Sequence, residues 1–139
     1  MRDPRQAILK ALIQHLNIIY EGDLIPVTTS YLFDADNYII LSIPSYTEEG
    51  TDNNYIYEVI IRAEVVTTFN TGETRETPSN IIMDELTIQV EDFDSLNAVL
   101  DGFYAVTFAA QSSDMKTEID NVTTLVTKSR DFAVKVVEK

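Results

Sequence analysis

His15 is the only histidine in this chain, and histidine is the side chain best suited to acid–base catalysis near neutral pH. It lies within an N-terminal segment of helical apolar spacing, where a catalytic triad would require an oriented acid and a nucleophile beside it. The chain has no cysteine, so thiolate nucleophiles, disulfides and thiolate metal sites are excluded. We therefore expect His15 to be a partly exposed helix residue, and we assign no catalytic residue.

Acidic side chains are the other groups able to do chemistry, and some occur in close pairs such as Asp34 with Asp36. This run resembles the start of a calcium loop, but Ile39 stands where the loop requires glycine and Ser45 where it requires an acid. An EF-hand is therefore excluded. A weaker cation site, or a hydrolase that uses Asp34 and Asp36 as its catalytic pair, is kept as an alternative. Solvated surface acids are the favoured interpretation, so we expect no metal and no cofactor.

Charge and composition exclude further classes of function. The 139 residues contain 23 Asp and Glu against 10 Lys and Arg, which gives a net charge of -13. Because phosphate recognition requires clustered cations and these are scattered, we expect no specific nucleic-acid binding. No nucleotide-binding loop is present, and there are only four glycines from which to build one. No apolar run approaches the length of a membrane span, so we expect no membrane partner.

Two helices and several strands are expected to position any functional surface. Asp3 before Pro4 predicts a helix start, as does Thr77 before Pro78. From Tyr55 onward, apolar and polar residues alternate over about 15 positions, which predicts an unusually long strand. The sequence predicts one α+β domain, residues 1–139, in which an antiparallel sheet of four to six strands packs against two helices. The expected elements are helix 1 at about 4–20, the long strand at about 55–69, helix 2 at about 78–91 and terminal strands within about 103–137. Within that last range the sequence predicts a run at 103–110, a turn near 112–116, a short patch at about 122–126 and a last strand at 131–137.

Aromatic residues flank the most loop-like segment, the acidic stretch 47–54. Tyr38, Tyr46, Tyr55 and Tyr57 lie on either side of it. Tyrosines beside a polar loop suit a protein interface because they add contact area at a low entropy cost. Ordinary packing within a sheet is the favoured alternative explanation for them.

The whole arrangement resembles a known family. An amphipathic N-terminal helix is followed by IPV at 25–27, YIILS from Tyr38, the acidic loop, the long alternating strand, a helix opened by Thr77–Pro78, and terminal strands. This order and spacing is similar to that of the phage tail-completion family, which includes tail-terminator and head–tail joining proteins. The resemblance extends over nearly the entire chain and predicts a tail-terminator-like fold.

The resemblance implies a structural virion protein and not an enzyme. Such a protein is assembled in the host cytoplasm into a ring of six or twelve subunits, beside neighbouring neck, connector or tail-tube proteins. DNA passes through as cargo, and an acidic bore would let it slide without adhering. Ring closure requires two different patches on each subunit. The candidate interface residues implied by the long strand and the loop are Tyr46, Glu48, Glu49, Asp52, Tyr55, Tyr57, Arg62 and Glu64.

One alternative function belongs to a different class. A small acidic protein-binding module, or an assembly chaperone that is not retained in the particle, would share the acidity and the absence of catalytic motifs. Such a protein would stay monomeric or dimeric, whereas a neck protein would form a closed ring. The oligomeric state therefore distinguishes the two.

Overall fold

The computed structural model describes residues 3–30, 37–50, 55–70, 77–111, 114–119 and 123–139. These residues form a mixed α+β structure, as the sequence predicts. The elements are α1 (Arg5–His15), β1 (Ile19–Tyr20), β2 (Asp23–Leu24), β3 (Val27–Thr28), β4 (Asn37–Glu48), β5 (Ile56–Asn70), α2 (Thr77–Glu91), α3 (Phe93–Val99), β6 (Phe103–Ala110), β7 (Asp114–Ile119) and β8 (Thr123–Glu138).

Six of the strands form one sheet in the order β3-β4-β5-β8-β6, with β7 also paired to β8. The strands from β4 onward are antiparallel, but β3 runs parallel to β4, so the sheet is mixed and not purely antiparallel as expected. Strands β6 and β7 lie along the same side of β8, β6 on its C-terminal half and β7 on its N-terminal half.

The C-terminal strands differ from their predicted division. The sequence indicated a turn near 112–116, a short patch near 122–126 and a last strand at 131–137. In the structure 114–119 is strand β7, and the last two segments are parts of β8, which is 16 residues long. Strand β8 pairs with β5 along its entire length, from Thr123 with Asn70 to Val137 with Ile56. This continuous ladder keeps the polar residues 127–131 in the strand, although their sequence resembles a break.

The long strand β5 confirms the alternation predicted from the sequence. Its odd-numbered side chains are buried, with exposed fractions of 1% or less from Tyr57 to Val65. They form one core with all three helices, which pack on this face of the sheet. From α2 this core includes Ile82, Met83, Leu86 and Val90, the stripe that predicts helix 2.

Helix α1 ends at His15, five residues before the predicted end at Tyr20. Leu16 takes an extended conformation, so that Ile18 enters the core from outside the helix. Ile19 continues the apolar spacing of the helix, but it belongs to the hairpin that follows. At the other end, the helix begins at Arg5, one residue later than predicted. The Asp3 carboxylate accepts a hydrogen bond from the Arg5 backbone N–H at 2.9 Å.

Helix α3 has no counterpart in the predicted elements. Asp92 caps it, and its side chain accepts a hydrogen bond from the Ser95 backbone N–H. Leu96 and Leu100 are buried from this segment, four residues apart. The cap and this spacing were available in the sequence, and they account for the long stretch between α2 and β6.

A tight turn joins β1 to β2, and its backbone conformation allows a test of strain. Glu21 and Gly22 both have positive φ, 51° and 85°, as in the two-residue turns that suit hairpins. A Cβ at Gly22 would meet no atom within 4 Å, so strain alone opposes a side chain there. We expect Gly22→Ala to lower the free energy of unfolding by about 1 kcal/mol. Chemical denaturation measures this loss. The control is Glu21→Gly, which relieves strain and should not destabilise the fold. Equal losses of unfolding free energy in the two variants would contradict the prediction.

Candidate subunit interface

The sheet has one face covered by helices and a second face that the described helices leave uncovered. We call the second one the open face. Cross-strand partners share a face, so the register assigns this face Tyr38, Ile40 and Val66, which are buried in a small cluster with Leu125. The half-buried or exposed residues that it assigns to the same face include Ser45, Thr47, Ile56, Glu58, Ile60, Arg62, Glu64, Ser129, Asp131, Ala133, Lys135, Val137, Tyr104, Thr107 and Ala109.

Apolar and charged rows alternate across the open face. Ile56, Val137 and Tyr104 form one row, and the next contains Glu58 and Lys135. A second apolar row through Ile60 and Ala133 is followed by Arg62 opposite Asp131. A face with partly exposed aliphatic rows between charged rows is suited to contact with another macromolecule.

Ion pairs organise the charged rows. The Arg62 guanidinium donates to both carboxylate oxygens of Asp131, at 2.9 and 3.2 Å, and Lys135 Nζ lies 3.1 Å from a carboxylate oxygen of Glu49. The hydrogen-bonded carboxylate of Asp131 raises the pKa of Arg62. Because exposed ion pairs stabilise a fold by only about 0–1 kcal/mol, we interpret these pairs as fixing the charge pattern of the surface.

The structure distributes the predicted interface residues over several surfaces. Arg62 and Glu64 lie on the open face, with Glu49 joined to it through Lys135. Tyr46 and Glu48 lie opposite Val59 and Tyr57 on the helix-covered side, near one edge of the sheet. Of the rest, Tyr55 is 40% exposed just before β5, Tyr57 is buried and Asp52 lies outside the described residues. Because successive side chains of a strand point to opposite faces of the sheet, candidate residues that are close in sequence lie on different surfaces.

Tyr57 is packed in the core, with its ring edge-on to both Tyr46 and Phe103 at 6.0 Å. Its hydroxyl is buried and has no hydrogen-bond partner among the described residues. Burial raises the pKa of Tyr57, and the nearby Glu138 carboxylate raises it further. Its side chain therefore cannot make a direct contact at the surface of this fold.

Replacing Tyr57 with phenylalanine removes an unpaired buried hydroxyl. We expect Tyr57→Phe to leave the free energy of unfolding unchanged or to raise it by about 1 kcal/mol. The raised pKa means that the folded state holds this proton more tightly than the unfolded chain. In the wild type, the contribution of this protonation equilibrium to the free energy of unfolding is fully present below about pH 10. It is lost as the pH rises through the folded-state pKa of Tyr57. Urea denaturation at pH 8 and pH 11 checks this, and Tyr57→Phe should lose less stability between them.

Both edges of the sheet have free backbone groups, which the sequence analysis did not identify as an interface. Strand β3 pairs only with Ile39 and Ile40, so β4 beyond Ile40 has no described partner on that side. On the opposite edge, β8 is the one strand that pairs with β6 within the described residues, and the Asn97 side chain of α3 hydrogen-bonds the backbone N–H and C=O of Ala105. The sequence of β6, FYAVTFAA, contains neither a charge nor a proline, and Tyr104 and Val106 are 41% and 45% exposed. Natural proteins usually protect edges with charges or prolines, so β6 is an unprotected edge strand.

His15 is held structurally and lies apart from the open face. Its Nε2 is 2.7 Å from the backbone oxygen of Gln89 in α2. Within the described residues, no group of three or more acids or histidines is arranged to hold a metal ion. The proposed acid pair Asp34 and Asp36 lies outside those residues. No described helix has the length and apolar content needed to cross a bilayer.

Comparison with known proteins finds no matching family model and no significant match among characterised sequences. Inference about function therefore depends on the surfaces described above.

Proposed function

We propose that this protein is a structural, non-enzymatic subunit of a ring at the phage head–tail interface, a tail-completion or connector component through which DNA passes. One observation supports it most directly: within the described residues, the sheet has an uncharged edge without a strand partner on each of two opposite sides. These edges are β6 and the part of β4 from Leu41 to Thr47. Two different edges on opposite sides suit head-to-tail contact, which generates rings when the rotation closes.

Strand direction permits this contact. Strands β4, β5, β8 and β6 alternate in direction. When successive subunits follow one another around a ring, β6 of one therefore runs antiparallel to β4 of the next. Pro44 and the nearby register shift restrict the hydrogen bonds that β4 can offer. Pairing would then centre on the segment from Ser45 to Thr47, which includes the candidate residue Tyr46.

Electrostatics favour the same two edges. Subunits with a net charge of -13 repel one another, so contact costs least where neither surface is charged. Strand β6 is uncharged throughout, and β4 has no charged residue before Glu48.

The charge of the open face is compatible with a passage for DNA. Four carboxylates, Glu49, Glu58, Glu64 and Asp131, lie on or beside it with two cations, Arg62 and Lys135. An excess of negative charge would repel phosphate and limit adhesion. We propose that this face is turned toward the bore, with neighbouring neck proteins as further partners in the virion.

The test is the native mass of the purified protein over a range of concentration and salt, followed by negative-stain imaging of the largest species. High salt screens the repulsion between subunits, so we expect closed rings to form more readily there. A monomer or dimer under every condition, including mixtures with isolated phage connectors, would contradict a ring subunit and support the binding-module alternative.

A further inference from the structure

A second exposed surface lies on the helix-covered side of the molecule, away from both sheet edges. Ile81 and Ile88 are seven residues apart on α2 and are 49% and 62% exposed. Beside them, the cross-strand pair Ile19 and Leu24 of the β1–β2 hairpin is 59% and 63% exposed. Ile19, Ile81 and Ile88 line one groove together with Asn17, Asp84 and Glu85. We call these residues and Leu24 the α2–hairpin surface.

Single exposed aliphatic residues are common, but four in one place are characteristic of an interaction site. The hairpin consists of two strands of two residues each, outside the main sheet. Ile18 and Ile25 at its base are buried in the core. Ile19 and Leu24, which lie between these two residues, are exposed and therefore do not contribute to the core.

The groove is held in shape by hydrogen bonds between its two walls. The Gln89 side chain accepts from the Asn17 backbone N–H at 2.8 Å and donates to the Asn17 backbone oxygen at 2.9 Å. The same Gln89 side chain donates to Glu85 at 2.9 Å, and His15 contacts the Gln89 backbone oxygen. A surface ordered before binding loses less conformational entropy when a partner docks.

The charges around this surface define the chemistry of its partner. Asp84 and Glu85 line the groove, and Glu21 and Asp23 are exposed in the hairpin turn. The residues lining the groove include no cation. An apolar surface bordered by carboxylates is complemented by apolar side chains flanked by Lys or Arg.

A second copy of this chain does not present such a surface in the part the structure describes. The cations there are already engaged or isolated: Arg5 pairs with Asp3, Arg62 with Asp131 and Lys135 with Glu49, while Lys128 and Arg130 are half-buried against Asn80 and Thr87 of α2. Lys10 borders an apolar groove with Ile13 and Lys139 is exposed just after β8, but single cations cannot balance several carboxylates. The α2–hairpin surface of a second copy would add only further negative charge.

We propose that the α2–hairpin surface docks a different protein through a basic amphipathic helix, whose apolar stripe fills the groove while its Lys and Arg residues face Asp84 and Glu85. Helix-in-groove docking of this kind uses apolar anchors one helical turn apart. The inference does not depend on the ring, because it concerns a separate surface and a separate partner.

The test uses the full chain and a synthetic helical peptide with a leucine stripe flanked by lysines. NMR spectra of the labelled protein are expected to show shifts confined to α2 and the β1–β2 hairpin. The double variant Leu24→Ser/Ile88→Ser is expected to weaken binding about tenfold or more, since buried apolar anchors dominate such interfaces. Asp84→Asn with Glu85→Gln should weaken it less and reduce its salt dependence.

Two matched controls separate specific docking from attraction to an acidic protein. Tyr104→Ser, on β6, should bind the peptide like the wild type, and a peptide with glutamates in place of the lysines should not bind. Absence of peptide binding, or equal binding by the Leu24→Ser/Ile88→Ser variant, would overturn the proposal. If that variant instead loses self-association, the occupant is a second copy and the proposal is wrong.

Discussion

Val106→Lys is expected to prevent ring assembly while leaving the subunit folded. Val106 is 45% exposed on β6, at a register shift in its pairing with β8. A lysine at this position would remain solvated in the monomer but would be trapped, unpaired, in an edge-to-edge contact. Natural edge strands use lysine in the same way to prevent pairing. Burying an unpaired charge costs several kcal/mol, so we expect assembly to require about a hundredfold or greater increase in protein concentration.

Two variants serve as controls for this result. Val106→Thr keeps a β-branched residue without a charge and should still assemble. Ile88→Lys adds the same charge at an exposed position on α2 and should also assemble. Either lysine makes the net charge less negative, which by itself would favour association, so a loss confined to Val106→Lys identifies the edge. Rings of Val106→Lys at the wild-type concentration would show that β6 is not the contact.

A charge exchange tests which strand β6 meets. Ser45 is exposed on the free part of β4, and Ser45→Glu alone is expected to weaken assembly. Combined with Val106→Lys, it is expected to restore part of it, because the new charges attract across the contact. If β6 paired with β6 of another copy, Ser45→Glu would have no effect and no restoration would occur. Native mass at fixed salt measures each case.

Sequence patterning predicted the elements whose residues have one clear period. Strand β5 alternates without interruption, and α2 has both a Thr–Pro start and a stripe from Ile82 to Val90, so both lie within a residue of their predicted bounds. Helix α1 was extended too far because Ile19 continues its helical spacing. Only tertiary contacts, such as the Gln89 bonds to Asn17, show that the chain turns there.

The candidate surfaces were less predictable, because they depend on which residues of distant strands become neighbours. The pairing of Arg62 with Asp131 joins residues 69 positions apart. The sequence cannot indicate that β6 occupies an edge, since its apolar composition equally suits a central strand. The exposure of β6 follows from strand order. Tyr57 was predicted to lie in the interface because it flanks the acidic loop 47–54, whereas its burial depends on packing against Phe103, which is distant in sequence.

The largest expected loss of stability comes from Phe132→Ala. Phe132 is fully buried at the centre of β8, stacked on Phe108 with ring centroids 5.6 Å apart. Its neighbours across the sheet are Ile61 of β5 and Ala110 of β6, so a cavity there affects three strands at once. Phenylalanine-to-alanine changes in cores cost about 3–5 kcal/mol. That is a large share of the roughly 5–15 kcal/mol by which a domain is stable.

Urea denaturation measures this loss, at concentrations where the wild type is monomeric because assembly would add to its apparent stability. Tyr104→Ala is the matched control: it removes an aromatic ring from β6 that is 41% exposed, and it should cost about 1 kcal/mol or less. Phe132→Ala is also expected to abolish rings at moderate temperature, because an edge contact through β6 requires β8 to hold that strand in place. A loss below about 2 kcal/mol would contradict this and would mean that the side chains around Phe132 collapse into the cavity. If a destabilised Phe132→Ala subunit still formed rings, the ring contact would lie away from β6. Rings formed by Val106→Lys would lead to the same conclusion.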